Sequence, residues 1–352
     1  LPTITEQIYI DGTDGDGHIR DITIEGGGTA NVDGFLFEGN NSHGSKLENL
    51  VVRGFKDYNL KINNSVRTAA TTYLIQNNYF GVDQDGSTVY TGTSNYNVYF
   101  QSSDHINFNS NTAAGKRWYH LYASSSDNVN IQNSNLGATS SGAKVVDNSN
   151  NMVVSGYGVY ALNSDHVTID DNVIGGMEGS YAIEVQTGDN FTITDNRVCI
   201  SATNVNLCKD GYGIQIDGLH DNYSTAGTIT GNTIDGKDAT NGNLISGLTY
   251  GVGLQFVDNL TFSNNRIGMT NGFSVSGSSI LKMNEVYSST FSKGANGAFG
   301  TSDYGIYFSG GDIYNNTFQN FDITWTAGTP SGETDNLSGF RWDSAKAYNN
   351  TF

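Results

Sequence analysis

Apolar and polar residues along this chain alternate in short runs, with a period near two rather than the 3.6 of a helix. One recurring run has the form Tyr-x-φ-x-φ, where φ is apolar. It begins at Tyr58, Tyr96, Tyr119, Tyr157, Tyr181, Tyr212, Tyr250 and Tyr304, with weaker copies headed by Phe273 and Phe340. A second run reads φ-x-x-Asn-x-φ. Its Asn falls at Asn78, Asn111, Asn172, Asn196, Asn232, Asn265, Asn316 and Asn350, and Ser134 and Ser289 stand in its place in two copies. The step from leading Tyr to Asn or Ser is 15 residues in the pairs 96/111, 119/134, 157/172, 181/196 and 250/265.

Period-two runs are strands with one buried face. Tyr-headed runs recur after 23 or 24 residues where no insertion intervenes, at 96/119, 157/181 and 250/273. Two or more strands in so short a repeat make one turn of a solenoid. The pattern therefore predicts an all-β chain, a single right-handed parallel β-helix of about ten or more rungs, spanning residues 1–352 as one domain. In such a stack equivalent residues form ladders about 4.8 Å apart. The Asn column is expected to bond inward from rung to rung, and the Tyr column to stack.

Extra residues gather between the Asn position and the next Tyr, at 79–95, 135–156, 197–211, 233–249, 290–303 and 317–339. They are expected to form a rim beside the Tyr-bearing strands. Residues 135–156 read as holding a short rung of their own, with Val145, Val146 and Met152–Val154 as its apolar positions.

Composition adds to this picture. Only 15% of residues are charged and 44 are Gly, with 2 Pro, a mixture that favours strands and turns. The net charge of −18 argues against nucleic acid or an anionic membrane as partner. No apolar run is long enough to cross a bilayer. The chain opens directly on a strand-like run at Leu1 and ends inside a repeat, which reads as a processed protein or a segment of a longer one. Cys199 and Cys208, separated by a hydrophilic loop, are candidates for a disulfide formed in an oxidising compartment.

On these repeats the chain resembles the right-handed parallel β-helix proteins of the pectate-lyase-like superfold. The stretches LPTITEQIYIDGT and NNYFGVDQDGST are similar to segments of large secreted bacterial surface proteins. The resemblance implies the fold and an extracellular or cell-surface location. The superfold hosts lyases, hydrolases, epimerases and phage tailspikes, so it leaves the activity open.

Candidate chemistry comes from the outward positions of the Tyr-bearing strand. Three residues after the leading Tyr the column runs Lys61, Tyr99, Tyr122, Tyr160, Glu184, Gln215 and Gly253. Tyr99, Tyr122 and Tyr160 are expected to form a flat aromatic strip on which sugar rings could lie. Strict alternation puts Asn97 and His120 outward on the same face. Tyr99, His120, Tyr122, Tyr160 and Glu184 are thus the candidate ligand-binding set. Lys116 and Arg117 precede the strip in a turn. With His120, Tyr122 and Glu184 they are the residues a polysaccharide lyase would need as base and cation. The arginine-containing signature of pectate lyases is missing, as are the paired-Asp and Gly-His-Gly signatures of polygalacturonases, so no catalytic residue is assigned.

Eight residues after the leading Tyr stands an acidic column, Asp104, Asp127, Asp165, Asp189, Asp258 and Asp312. It is expected to close Asx turns, with calcium between rungs as the alternative. The sharper calcium candidate is Asp11, Asp14 and Asp16 in the glycine-rich run 11–17. Asp83 and Asp85 form a shorter version. The reading that fits all of this best is a non-enzymatic structural or adhesive module of a surface or filament protein, with glycan or neighbouring subunits as partners. A polysaccharide lyase or hydrolase is the alternative, and a tailspike-like receptor binder a further one.

Overall fold

A computed structural model describes residues 1–13, 20–27, 33–66, 71–89, 94–115, 117–146, 156–201, 205–208, 211–218, 224–225, 227–230 and 232–235, and beyond residue 249 only strand segments, the last ending at residue 348. Within these residues the chain is a right-handed parallel β-helix. Three sheets run its length, of 12, 14 and 11 strands, and every neighbouring pair on them is parallel. One rung shows the plan. Ser94–Ser103 lies in the first sheet, Ile106–Asn109 in the second and Thr112–Ala113 in the third. The next rung repeats it with Arg117–Ser124, Val129–Gln132 and Asn135–Leu136.

The Tyr-headed run is the first-sheet strand, and equivalent residues pair as the repeat requires: Tyr58 with Tyr96, Tyr96 with Tyr119, and Tyr119 with Tyr157. The apolar positions of all three sheets converge on one core. Val98, Phe100, Phe108 and Ala113 of a single rung are fully buried. The Phe108 ring lies 6.1 Å from Phe80 on the rung before and 6.2 Å from Phe100 on its own. Burying a phenylalanine side chain contributes about 2–3 kcal/mol, so each rung holds the next chiefly through such contacts.

Each corner of the solenoid has to satisfy buried backbone groups, and each carries a polar ladder. Between the second and third sheets lies the Asn column. Asn172 and Asn196 each give their backbone N–H and side-chain amide to the Oδ1 of the next rung's Asn. Ser134 substitutes in the same line. Asn265, Asn316 and Asn350 lie outside the described residues. Between the first and second sheets runs a serine ladder: the N–H groups of Ser65, Ser103 and Ser126 donate to Ser103, Ser126 and Ser164 Oγ at 3.2, 3.1 and 3.0 Å. Beside the serine ladder two residues per turn are left-handed, as Ser102 and His105, Ser125 and Asn128, and Asn163 and His166 are, and beside the Asn ladder one, at Ser110, Asn133, Asp171 and Asp195. Short polar side chains tolerate that conformation better than apolar ones, which explains the Asn, Asp and Ser richness of the chain.

The third corner, where the chain enters the first sheet, corrects the alternation. Asn97 and His120 are not outward. They are 0% and 1% exposed. The backbone turns the corner at this point, so the first two residues after each leading Tyr both face inward, as Asn97 and Val98 do. Asn59 Nδ2 donates to Asn97 Oδ1 at 2.8 Å, and Asn97 Nδ2 lies 3.3 Å from His120 Nδ1.

The insertions follow the expected register but not the expected position. Val82 and Val89, Ala138 and Lys144, and Ile200 and Asn206 each form an antiparallel bridge. Residues 138–144 therefore make a small hairpin; of the short rung expected within 135–156, residues 147–155, with Met152–Val154, lie outside the described residues. The hairpins fold back over the outer side of the third sheet. Val82, Val89 and Val145 bury a second apolar cluster there against Val51, Tyr79 and Ala114, and Ser140 N–H donates to Gly86 O to join two hairpins. In the third hairpin Cys199 and Cys208 form a disulfide, both buried, with Cys208 Sγ 3.9 Å from Met177 Sδ.

Candidate functional site

The outer face of the first sheet carries a double ladder of tyrosines. Because the corner brings the leading Tyr to the outside, Tyr96, Tyr119 and Tyr157 stand beside Tyr99, Tyr122 and Tyr160. All six are half-buried. Down the solenoid, Tyr96 and Tyr119 stack at 5.3 Å and Tyr119 and Tyr157 at 4.8 Å. Tyr99 and Tyr122 stack at 5.0 Å with planes 4° apart, and Tyr122 and Tyr160 at 5.1 Å and 8°. Within a rung the two rings also stack, at 4.8 Å for Tyr96 and Tyr99 and 5.0 Å for Tyr119 and Tyr122. Such pairs contribute about 0.5–1.5 kcal/mol each beyond their buried area.

This arrangement alters the expected sugar platform. Ring faces inside the ladder are already covered by other rings. What remains for a ligand is a row of ring edges and phenol groups, which donate and accept hydrogen bonds. Burial pushes the Tyr99 and Tyr119 phenols up to about 12, with the neighbouring phenols adding to it. At one end Lys61 Nζ lies 4.9 Å from the Tyr99 ring centroid, a cation closing the stack. At the other end the Tyr160 hydroxyl donates to Gln186 Oε1. A second tyrosine pair, Tyr181 and Tyr212, stacks at 4.7 Å beyond it.

Glu184 follows Tyr160 in register, and Gln215 follows Glu184. Glu184 is 7% exposed, and its carboxyl is pushed up to about 7, by burial first and by Asp217 second. Burial raises the Asp217 carboxyl as well. Of the other residues considered for catalysis, His120 is inside the corner and away from solvent. Arg117 is the first residue of a strand rather than part of a turn, and Lys116 lies outside the described residues. The set Lys116, Arg117, His120, Tyr122 and Glu184 is thus split, with Tyr122 in the outer ladder and His120 in the interior. Trp118, which the sequence reading passed over, is 65% exposed at the start of the same strand. It stands one residue before the motif and outside every repeat.

In the acidic column three carboxylates accept bonds from the protein, while the side chains of Asp258 and Asp312 lie outside the described residues. Asp104 Oδ1 accepts the backbone N–H of Asp127 at 2.9 Å, Asp127 that of Asp165 at 2.8 Å, and Asp165 that of Asp189 at 2.8 Å. These bonds run to the next rung and not within an Asx turn, so one carboxylate replaces one ladder bond. Asp85 does close an Asx turn, with Ser87 and Thr88 donating, and its carboxyl lies low, at about 2. Asp83 pairs with Arg53. Asp11 accepts from Asn49, Thr13 and Tyr9, and Asp14 and Asp16 lie outside the described residues. Among the described residues no group of three or more His, Cys, Asp or Glu side chains is placed to hold a metal, and no helix is long and apolar enough to cross a membrane.

No protein-family model matches the sequence, and neither does any curated protein. Solved structures with a similar course include the periplasmic alginate epimerase AlgG, at 12% identity and a TM-score of 0.41, covering 91% of this chain and 73% of that one. DFA-IIIase from Arthrobacter chlorophenolicus A6 is 13% identical with a TM-score of 0.44, covering 94% and 69%. The enzymatically active domain of bacteriophage CBA120 tailspike protein 2 is 11% identical with a TM-score of 0.32, covering 91% and 38%. Overlaps this loose say nothing of the chemistry of the present chain, whose fold rests on its own three sheets.

Proposed function

We propose that this chain is a non-enzymatic extracellular module, a stiff acidic β-helical rod of a surface or filament protein, which binds an extended glycan along the tyrosine face. The observation that carries the reading is the double ladder from Tyr96 to Tyr160. It is a straight, rigid row of phenol groups on an exposed sheet, paired rung by rung and held by its own stacking. A preorganised row costs little to order on binding. The burial of His120 supports the non-enzymatic half, because it takes the proposed base off the face.

A second reading rests on Glu184. A buried carboxyl held near 7 beside a second carboxyl, Asp217, is an arrangement suited to a general acid acting on a glycosidic bond. Calorimetry against a panel of neutral and acidic polysaccharides, paired with an assay for released reducing ends and unsaturated products, separates the two. The module reading expects saturable binding, weakened about tenfold or more by Tyr122→Ala, with no product released. Binding untouched by Tyr122→Ala removes the tyrosine face from the reading. Product released by the wild type and abolished by Glu184→Gln replaces it with the enzyme.

A further inference from the structure

Three outward columns run down the first sheet over the rungs that begin at Tyr96, Tyr119 and Tyr157. The leading tyrosines form the first, Tyr99, Tyr122 and Tyr160 the second, and Gln101, Ser124 and Leu162 the third, in register from rung to rung. All of them are partly exposed, and none is a charged residue. The charges of this face lie on the rungs to either side. Lys61 comes before, against the Tyr58 and Tyr99 rings, and Glu184 comes after, in register with Tyr160. Lys56 and Arg117 each stand two residues ahead of a leading tyrosine, outside the three columns. A chain of uronates would bring one carboxylate per sugar onto this surface, with no cation in the columns to offset its desolvation. An uncharged sugar needs only donors and acceptors, and phenols, amide and hydroxyl are both.

The spacing sets a direction. Equivalent rings lie 4.8 to 5.3 Å apart down the solenoid, and the two rings of one rung 4.8 to 5.2 Å apart. An extended β-1,4-linked pyranose chain advances by about one such rung step per sugar. Laid along the solenoid axis it meets a fresh pair of phenols at every unit; laid along a strand it meets one pair and then leaves the ladder. Trp118 adds an apolar contact at the middle rung. It precedes Tyr119, is 65% exposed, and in register stands between Asn95 and Gly156. Neither neighbour in its column carries a ring to cover it, which leaves the indole open to the C–H face of a sugar.

Given the glycan-binding role proposed above, we infer that the ligand is an uncharged, extended β-1,4-linked glycan lying along the solenoid axis with one sugar per rung. It spans the pairs Tyr96/Tyr99, Tyr119/Tyr122 and Tyr157/Tyr160, with Trp118 against the sugar of the middle rung. Cello-, xylo- and manno-oligosaccharides, from disaccharide to hexasaccharide, are titrated calorimetrically into the full chain beside maltohexaose and hexagalacturonate. At least one β-1,4 series is expected to gain about tenfold in affinity from disaccharide to trisaccharide and to level off beyond the tetrasaccharide. Trp118→Ala should weaken the trisaccharide about fivefold or more, with the near-ultraviolet tyrosine signal confirming that the ladder persists. Equal or tighter binding of hexagalacturonate or maltohexaose, affinity independent of length, or an unchanged Trp118→Ala overturns the inference and leaves the glycan-binding role standing. Silence from every oligosaccharide here also overturns it; the role itself fails only if the polysaccharides of the wider panel are silent as well.

Discussion

Asn78 gives both its backbone N–H and its side-chain amide to a single atom, Asn111 Oδ1, at 2.9 and 3.1 Å. The same two-to-one bond recurs from Asn172 to Asn196 and from Asn196 to Asn232. Each Asn also ties back into an earlier strand, as Asn196 Nδ2 does to Ile169 O at 2.7 Å. The column thus fixes the rung spacing at a corner where the strands cannot bond to each other.

Replacing one member tests this directly. Asn196→Ala removes the acceptor for Asn172 and the donor to Ile169, leaving buried polar groups unmet, at a cost of about 3 kcal/mol. Asn196→Ser should cost less, about 1–2 kcal/mol, because Ser134 already fills this position, accepting from Asn111 N–H at 3.1 Å and donating to Gln132 O at 2.7 Å. Urea midpoints order the two variants, and hydrogen exchange at the Asn172 amide locates the loss.

Much of the architecture was legible because the repeat is physical. The Tyr and Asn columns keep their spacing since each residue meets its own copy one rung away, and registers such as Tyr96 with Tyr119 follow from that. The face was less legible. Period-two alternation holds along a strand but fails where the chain bends into it, so Asn97 and His120 went inward and the leading tyrosines outward. The serine ladder escaped notice because single serines at a corner look like any turn. Glu184 was found as a column member, but its burial depends on neighbours a residue pattern does not report.

The tyrosine ladder should make the fold sensitive to alkali. Burial favours the neutral phenol in the folded chain, holding Tyr99 and Tyr119 at about 12 against an ordinary value of 10.0. A raised folded value means that the stabilisation is complete below pH 10, and is lost as pH rises toward 12. Unfolding midpoints should therefore fall across that window, and tyrosinate absorbance should appear in the same range. Midpoints that stay flat to pH 12 would contradict the burial assigned to these rings.

His120 separates the interior from the face. It sits in the corner with Asn97 Nδ2 3.3 Å from its Nδ1. His120→Ala should lower stability by about 2 kcal/mol through the cavity and the unmet amide. Glycan affinity should stay within about twofold of the wild type, whereas Tyr122→Ala reverses that order. Calorimetry and thermal melts on the two variants give the comparison.

The disulfide acts on a hairpin, not on the solenoid core. Cys199 and Cys208 are 9 residues apart, and Ile200 bridges Asn206 within the loop they close. Closing so short a loop restricts the unfolded chain by only about 2–3 kcal/mol. Both sulfurs nevertheless belong to the main apolar core beside Met177 and Val198, so their packing should survive reduction in part. The double variant Cys199→Ala/Cys208→Ala is therefore expected to remain a folded β-helix by circular dichroism. Its midpoint should drop by that 2–3 kcal/mol, with faster proteolysis confined to residues 199–208. Reductant should lower the wild-type midpoint and leave the variant's unchanged. Loss of the whole fold in the variant would make the bridge a requirement for stacking rather than a local clasp.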